Sequence, residues 1–223
     1  RLVGAVYLGG EHLGELSLTE SVFQNNIAFG RGGAVFADDF TTLNLTDTRV
    51  IHNVSTGRTN DSDNARGGGL YIESVESANL NRVEIAENVG MNDGGGAVIA
   101  RTTFGRDVRH FNVTITNSTI SGNKTGYTAD PGGIAGGLVT VTDVRAAIAA
   151  DPTLANAALS TTANTNGEVG GGLWITNRGT AVLDHVTVAD NRSTGDAAGI
   201  RVDNLATVTV RNSIFANNHE RVD

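Results

Sequence analysis

Cysteine is absent from the 223 residues, so neither a disulfide framework nor a thiolate metal site can form. Proline occurs twice, tryptophan once and methionine once, and aromatic residues make up only 5% of the chain, low for a globular enzyme. No apolar run approaches the roughly 20 residues that span a bilayer as a helix. Basic residues are also few. Lys and Arg number 16 against 24 Asp and Glu, which leaves a formal net charge of -8. Phosphate backbones and anionic membranes are bound by basic faces, so nucleic acid is not an expected partner. The chain opens on RLVGAVYL, with no Met and no signal pattern, as expected for a mature or excised piece of a longer protein.

What the chain does have is order. Hydrophobic residues reach 39%, glycines number 29, and Asn and Thr are abundant. Two anchors alternate along its length. The first is a small-residue run followed by an aliphatic residue, at Val6, Val35, Leu70, Val98, Leu138, Leu173 and Ile200. The second is hydrophobic-x-x-Asn, ending at Asn26, Asn53, Asn88, Asn123, Asn191 and Asn218, with a degenerate copy from Thr161 to Asn164. Four units share an 18-residue step from anchor to Asn: Val35 to Asn53, Leu70 to Asn88, Leu173 to Asn191 and Ile200 to Asn218. Fixed units with variable connections are the signature of a solenoid.

Within each unit the local period is 2. ANLNRVEIAEN, FNVTITNSTISGN and TAVLDHVTVADN alternate apolar with polar residues and are rich in Val, Ile and Thr, which predicts strands. Three short strands per unit, bent at small or Asn residues, make one triangular turn. Stacked turns pair equivalent strands about 4.8 Å apart. The expected fold is therefore all-β: a right-handed parallel β-helix of about seven coils, one domain over 1–223, roughly 30 Å long by that spacing. Asn164 and the six other Asn positions are expected to form a ladder, each amide bonding its copies above and below. Asn also tolerates the left-handed backbone of a sharp corner. An antiparallel sandwich or propeller ranks lower, because hairpin signals are scarce and Asn166-Gly167 stands alone.

Three stretches break the pattern. Residues 56–66 and 124–135 are rich in Gly, Asn and Asp and read as loops. Residues 143–163 are Ala-rich. A short helical excursion is expected near 143–150, ended by Asp151-Pro152.

The pairing of GGAV, at Gly32 to Val35 and Gly95 to Val98, with Phe-x-x-Asn, at Phe23 to Asn26 and Phe215 to Asn218, resembles the repeats of polymorphic outer membrane proteins. More broadly it resembles bacterial β-helix surface proteins and autotransporter passengers. In the other copies Leu, Ile or Val replaces Phe, and GGGL or GGLV replaces GGAV. The resemblance implies a secreted, cell-surface rod used in adhesion or surface architecture, and it implies no catalytic residue. β-Helices also carry polysaccharide lyases, hydrolases and epimerases. Their Asp clusters with an Arg or Lys base, or Asn-Thr-Asp with paired Asp and Gly-His-Gly, are not found intact here.

Candidate sites are sparse. ARTTFGRDVRHFN holds Arg101, Arg106, Arg109 and His110, the one basic concentration in an acidic chain. Guanidinium groups clamp carboxylates, so an acidic sugar is the ligand this cluster suits, set against a solvated loop edge. TNDSDN places Asp61 and Asp63 on one loop with Asn60 and Asn64, alternating oxygens that suit calcium, though without the glycine and distant Glu of an EF-hand. Asp38-Asp39 reads as a solvent-facing pair at a turn, and His185 as a surface histidine in strand alternation. Tyr71 and Trp174 each stand one residue past the anchor. They read as lateral packing under a loop, or as a stripe on which sugars stack. No other cofactor is expected. Three functional readings stay open: an adhesive or structural surface module contacting glycans or a neighbouring cell, an enzyme acting on acidic glycans, and a rod-like subunit whose coil ends stack on further copies.

Overall fold

In a computed structural model the described residues are 4–9, 14–38, 41–56, 65–100, 112–125 and 169–220. They form a parallel β-helix. Every described strand pairing is parallel, and the strands fall into four sheets of six, one strand of each sheet per coil. The first coil contributes Val6–Leu8, Glu15–Thr19, Val22–Gln24 and Ile27–Ala28 to the first to fourth sheets in turn, and the sixth contributes Ile200–Val202, Thr207–Arg211, Ile214–Ala216 and His219–Glu220. Sheets of this kind exclude the hairpin architectures.

Two details differ from the sequence reading. Each coil has four strands rather than three, because a two-residue strand follows every ladder Asn. The described residues also stack in six coils rather than seven. Strand Ala97–Ala100 pairs directly with Leu173–Thr176, and Asn112–Thr116 with Thr180–Asp184, so the copy anchored at Leu138 and Asn164 supplies no coil between them. Asn164 and the helical excursion at 143–150 lie outside the described residues. Register also corrects one anchor: Ala97, not Val98, is the partner of Leu70 and Leu173.

Alternation explains the core. In the second sheet TLNLT and TAVLD bury every other residue. Leu43, Leu45, Leu80, Ile115 and Leu183 point inward from this sheet, with Val50, Ile85, Ile120 and Val188 of the third sheet and Leu70, Ile72, Ile99 and Ile175 of the first. The outward set is polar. Asn79 donates to Asn44 at 2.9 Å, and Asn44 donates to Ser17 at 3.1 Å, a hydrogen-bonded row along the exposed face.

The two anchors prove to be one device. Asn53, Asn88, Asn123 and Asn191 are fully buried. Each Nδ2 donates to the Oδ1 of the next ladder Asn at 3.0, 3.0, 3.0 and 2.8 Å. It also donates to a backbone carbonyl of the coil before, Val50 O for Asn88 and Ile85 O for Asn123. Oδ1 accepts the previous Asn's backbone N–H as well. The amide is thus saturated without water, as burial demands. In coils three to five the glycine before the first-sheet strand makes room for it: a Cβ at Gly69, Gly96 or Gly172 would stand 3.1, 2.9 or 3.0 Å from Asn88, Asn123 or Asn191.

The ladder Asn does not itself take the left-handed corner. That conformation belongs to the residue before it, which is Asn25, His52, Glu87, Gly122, Asp190 or Asn217, with φ from 50° to 64°. A second such corner holds Glu20, Asp47, Arg82, Asn117, His185 and Asn212. Arg, Glu and His occupy these sites without glycine's freedom, so the packed strands on either side impose the turn. His185 is accordingly a corner residue rather than a strand residue. It is exposed, and its Nδ1 lies 3.0 Å from Asp184.

Candidate functional site

The four corners of the coil are not equivalent. Between the second and third sheets, and again between the third and fourth, two residues separate the strands in all six coils. Variation is confined to the corners on either side of the first sheet. There the chain departs at Ala100 and returns at Asn112, departs at Thr56 and returns at Ala65, and departs at Thr125 and returns at Val169. Insertions gathered around one sheet mark the variable, and commonly the binding, side of a repeat protein.

The first sheet differs chemically as well. Its strands Leu70–Glu73, Ala97–Ala100 and Leu173–Thr176 are buried on both faces, which accounts for the unbroken apolar runs LYI, AVIA and LWI. One face joins the main core. The other carries a second cluster of Phe36, Tyr71, Val98, Ala100 and Trp174, against which Val169 packs. Register aligns Tyr7, Phe36, Tyr71, Val98, Trp174 and Arg201 in one column. The Tyr7 and Phe36 rings lie 5.4 Å apart, and Phe36 meets Tyr71 edge-on at 5.3 Å, a favourable arrangement of ring quadrupoles. Of the two sequence readings of Tyr71 and Trp174, burial supports lateral packing. At 2% and 8% exposed they present no open stripe.

Charged side chains line both sides of this column. The residue preceding the corner glycine is Arg31, Arg66 or Asp93, stacked in register through backbone bonds from Gly32 to Arg66 and from Gly67 to Asp93. The Arg31 guanidinium sits 4.8 Å from the Tyr71 ring centre, and that of Arg66 sits 5.0 Å from Trp174, both within cation–π range. Arg31 also donates to Glu73 at 2.8 Å, and Arg66 to Asp93 at 3.1 Å. On the other side the Trp174 indole N–H donates to Asp203 at 3.1 Å, and Arg201 bridges Asp203 and Asp196. The Asp196 carboxylate, more than any other group, holds the Arg201 guanidinium above its ordinary pKa. Burial, with Glu73 beside it, pushes the Tyr71 hydroxyl up to about 12. Asp38, expected at a solvent-facing turn, is instead 3% exposed at the end of its first-sheet strand. Asp39 lies outside the described residues.

Two buried polar atoms on this face lack a partner among the described residues, Arg31 Nε and Asp203 Oδ1. They stand in different coils on opposite sides of the column, so they mark two separate places and not one site.

Arg101, Arg106, Arg109, His110, Asp61 and Asp63 all lie outside the described residues. The segments that hold them leave the coil beside the first sheet: the first follows Ala100, and the second runs between Thr56 and Ala65. Among the described residues, no group of three or more His, Asp or Glu is placed to hold a metal ion. The Arg and acid columns escape a reading based on motifs because their members stand in different coils. The available signal was positional: RGG recurs at Arg31 and Arg66, and each acid falls three residues past an anchor, as at Asp38, Glu73 and Asp203.

Fold and face together define a parallel β-helix solenoid with one specialised side. No family model, curated protein or solved structure matches the chain.

Proposed function

We propose that this chain is a non-enzymatic binding scaffold of the bacterial cell surface, a rigid rod whose first-sheet side carries the segments that contact glycans or a neighbouring cell. One observation carries the reading: corners of constant length on two sides of the coil, with all three long excursions beside the first sheet. A framework held by ladders and core has no need of that asymmetry, whereas a presenting surface does. The half-buried Arg31 and Arg66 of the first-sheet face, held by buried Glu73 and Asp93, support it, because paired guanidinium and carboxylate groups suit the hydroxyl and carboxylate pattern of acidic sugars.

The test is binding of the purified chain to a glycan array and to intact cells, run beside incubation with acidic polysaccharides read by ultraviolet absorbance and by reducing ends. Saturable binding without new chain ends supports a scaffold. New unsaturated or reducing ends would replace it with a polysaccharide-active enzyme.

A further inference from the structure

Asn-x-Ser/Thr, the pattern on which a sugar is transferred to an asparagine amide, occurs at Asn44, Asn53, Asn60, Asn112, Asn117, Asn123 and Asn191. Asn60 lies outside the described residues. The structure divides the others into two groups. Asn44 and Asn112 stand on the outward face of the second sheet, and Asn117 at its corner. Asn112 and Asn117 are exposed, so a sugar on them extends into water. Asn53, Asn123 and Asn191 are ladder residues with no exposed surface.

The second group arises from the architecture itself. Two residues past each ladder Asn, on the fourth sheet, one column reads Ala28, Ser55, Gly90, Thr125, Ser193 and Glu220. It takes small residues in coils one to five, where it is buried. Wherever Ser or Thr fills it, the ladder asparagine becomes an acceptor sequence. The hydroxyl itself is not required there: Ser55 Oγ is buried without a partner among the described residues, and Ala28 and Gly90 have none. The residue between the two has its backbone pressed onto a column of glycines, Gly33, Gly68, Gly95 and Gly171, which Ala198 continues. A Cβ at Gly33 would stand 2.9 Å from Val54 N, at Gly95 2.4 Å from Lys124 O and at Gly171 2.4 Å from Arg192 O.

A sugar on these three amides is incompatible with the coil. In the transfer, the C1–O bond between sugar and donor phosphate breaks with its electron pair on oxygen. A C1–Nδ2 bond forms, and one Nδ2 proton is released. The amide keeps a single N–H, whereas each ladder Nδ2 uses both. Asn53 donates to Asn88 Oδ1 and Phe23 O, both at 3.0 Å. Asn123 donates to Ile85 O at 2.9 Å and Asn191 Oδ1 at 3.0 Å, and Asn191 to Ile120 O at 3.0 Å and Asn218 Oδ1 at 2.8 Å. Modification therefore strands a buried oxygen. It also sets a hexose in an interior that is packed to contact.

Chain growth gives this chemistry its opportunity. The asparagines that accept from Asn53, Asn123 and Asn191 lie 35, 68 and 27 residues further on. At about 5 to 20 residues per second, Asn123 waits roughly 3 to 14 s for Asn191 to be made. A growing chain has no means of covering these amides in that interval.

We infer that Asn53, Asn123 and Asn191 are latent glycosylation sites whose modification blocks folding, so the chain folds only where its synthesis does not meet enzymes that glycosylate Asn-x-Ser/Thr. The inference goes beyond the scaffold reading and does not rest on it.

The test makes the chain in a bacterial cytoplasm without such enzymes and in a eukaryotic secretory pathway. Beside it is made Ser55→Ala/Thr125→Ala/Ser193→Ala, which removes the three acceptor sequences and keeps every ladder Asn. Protease resistance reads folding. Peptide masses after enzymatic sugar release, which turns a modified Asn into Asp, read occupancy at each position. From the bacterial host both proteins are expected to be resistant. From the secretory host, resistant parent is expected at about one tenth of the variant's yield or less, with sugar at the ladder positions confined to protease-sensitive chains. Blocking synthesis of the sugar donor is expected to restore the parent, an arm that needs no substitution. Resistant protein carrying sugar at Asn53, Asn123 or Asn191 overturns the inference. So does an equal yield of resistant parent and variant from the secretory host, and so does a parent that stays sensitive when the donor is withheld. Glycan binding is measured on the bacterially made, unmodified protein, so the scaffold reading and this inference fail separately.

Discussion

Asn123 donates from Nδ2 to Oδ1 of Asn191 at 3.0 Å although 68 residues separate them in sequence. The two stand one coil apart, and the excursion between them leaves the ladder unbroken. Stability therefore resides in contacts between coils, and position along the rod sets the cost of losing one.

Asn88→Ala strands the Asn53 N–H and Nδ2 groups and the Val50 carbonyl in the interior. The expected loss is about 3 kcal/mol of unfolding free energy. Asn218→Ala, in the last described coil, is expected to cost about 1 kcal/mol, because Asn218 is itself only part-buried and its truncation lets water reach the Asn191 groups it leaves. Urea unfolding of the two variants measures the difference, and equal losses would contradict a ladder whose value depends on burial.

The glycine column gives a second position-dependent outcome. Gly95→Ala forces a methyl to within 2.4 Å of Lys124 O and 2.5 Å of Gly171 O. Both are backbone atoms fixed by pairing, and the expected cost is about 2 kcal/mol or more. The column already tolerates alanine at Ala198 in coil six, so Ala198→Gly should shift monomer stability by less than about 1 kcal/mol. Thermal unfolding of both variants at low concentration checks this.

Much of this was legible in the chain. The Gly-aliphatic and hydrophobic-x-x-Asn anchors gave the parallel stack and the ladder, since each imposes one backbone geometry wherever it recurs. The coil count was not legible. Leu138 and Asn164 match the anchors locally, but membership in the stack is decided by pairing with Ala97 and Leu173, which spacing cannot reveal. The fourth strand was hidden because two residues such as Val54 and Ser55 carry no period. The polar columns beside the aromatics were hidden because Arg31 and Glu73 are 42 residues apart.

Alkaline titration reports on the first-sheet face. The Tyr71 hydroxyl ionises near 10 when unfolded and at about 12 in place, raised first by burial. A raised folded value means that the contribution is complete below pH 10 and is lost as pH rises from 10 to 12. The expected loss is roughly 2 to 3 kcal/mol. Tyr71→Phe should remove this part of the dependence, so the stability difference between the two proteins should change between pH 9 and 12. A constant difference would place Tyr71 in water.

Acid acts elsewhere. Arg82 grips Asp47 from the next coil through Nε and Nη2, at 2.5 and 2.6 Å, and holds its carboxyl below the ordinary range, chiefly by that hydrogen bond. A lowered folded value gives stability that is present above about pH 4 and lost as pH falls through the folded pKa. The pair is solvent-exposed, so the effect is small and salt-sensitive. Arg82→Ala should flatten this part of the acid limb of the unfolding curve and leave pH 6 to 8 unchanged.

The most direct measurement separates framework from presenting surface in one protein. Six residues join the fourth sheet to the first between Ala28 and Val35, Gly90 and Ala97, and Ser193 and Ile200. Replacing residues 126–168 with two residues restores that same length between Thr125 and Leu173. The account expects the shortened protein to unfold within a few degrees of the parent and to lose its glycan or cell binding. Collapse of the fold, or binding retained in full, would contradict it.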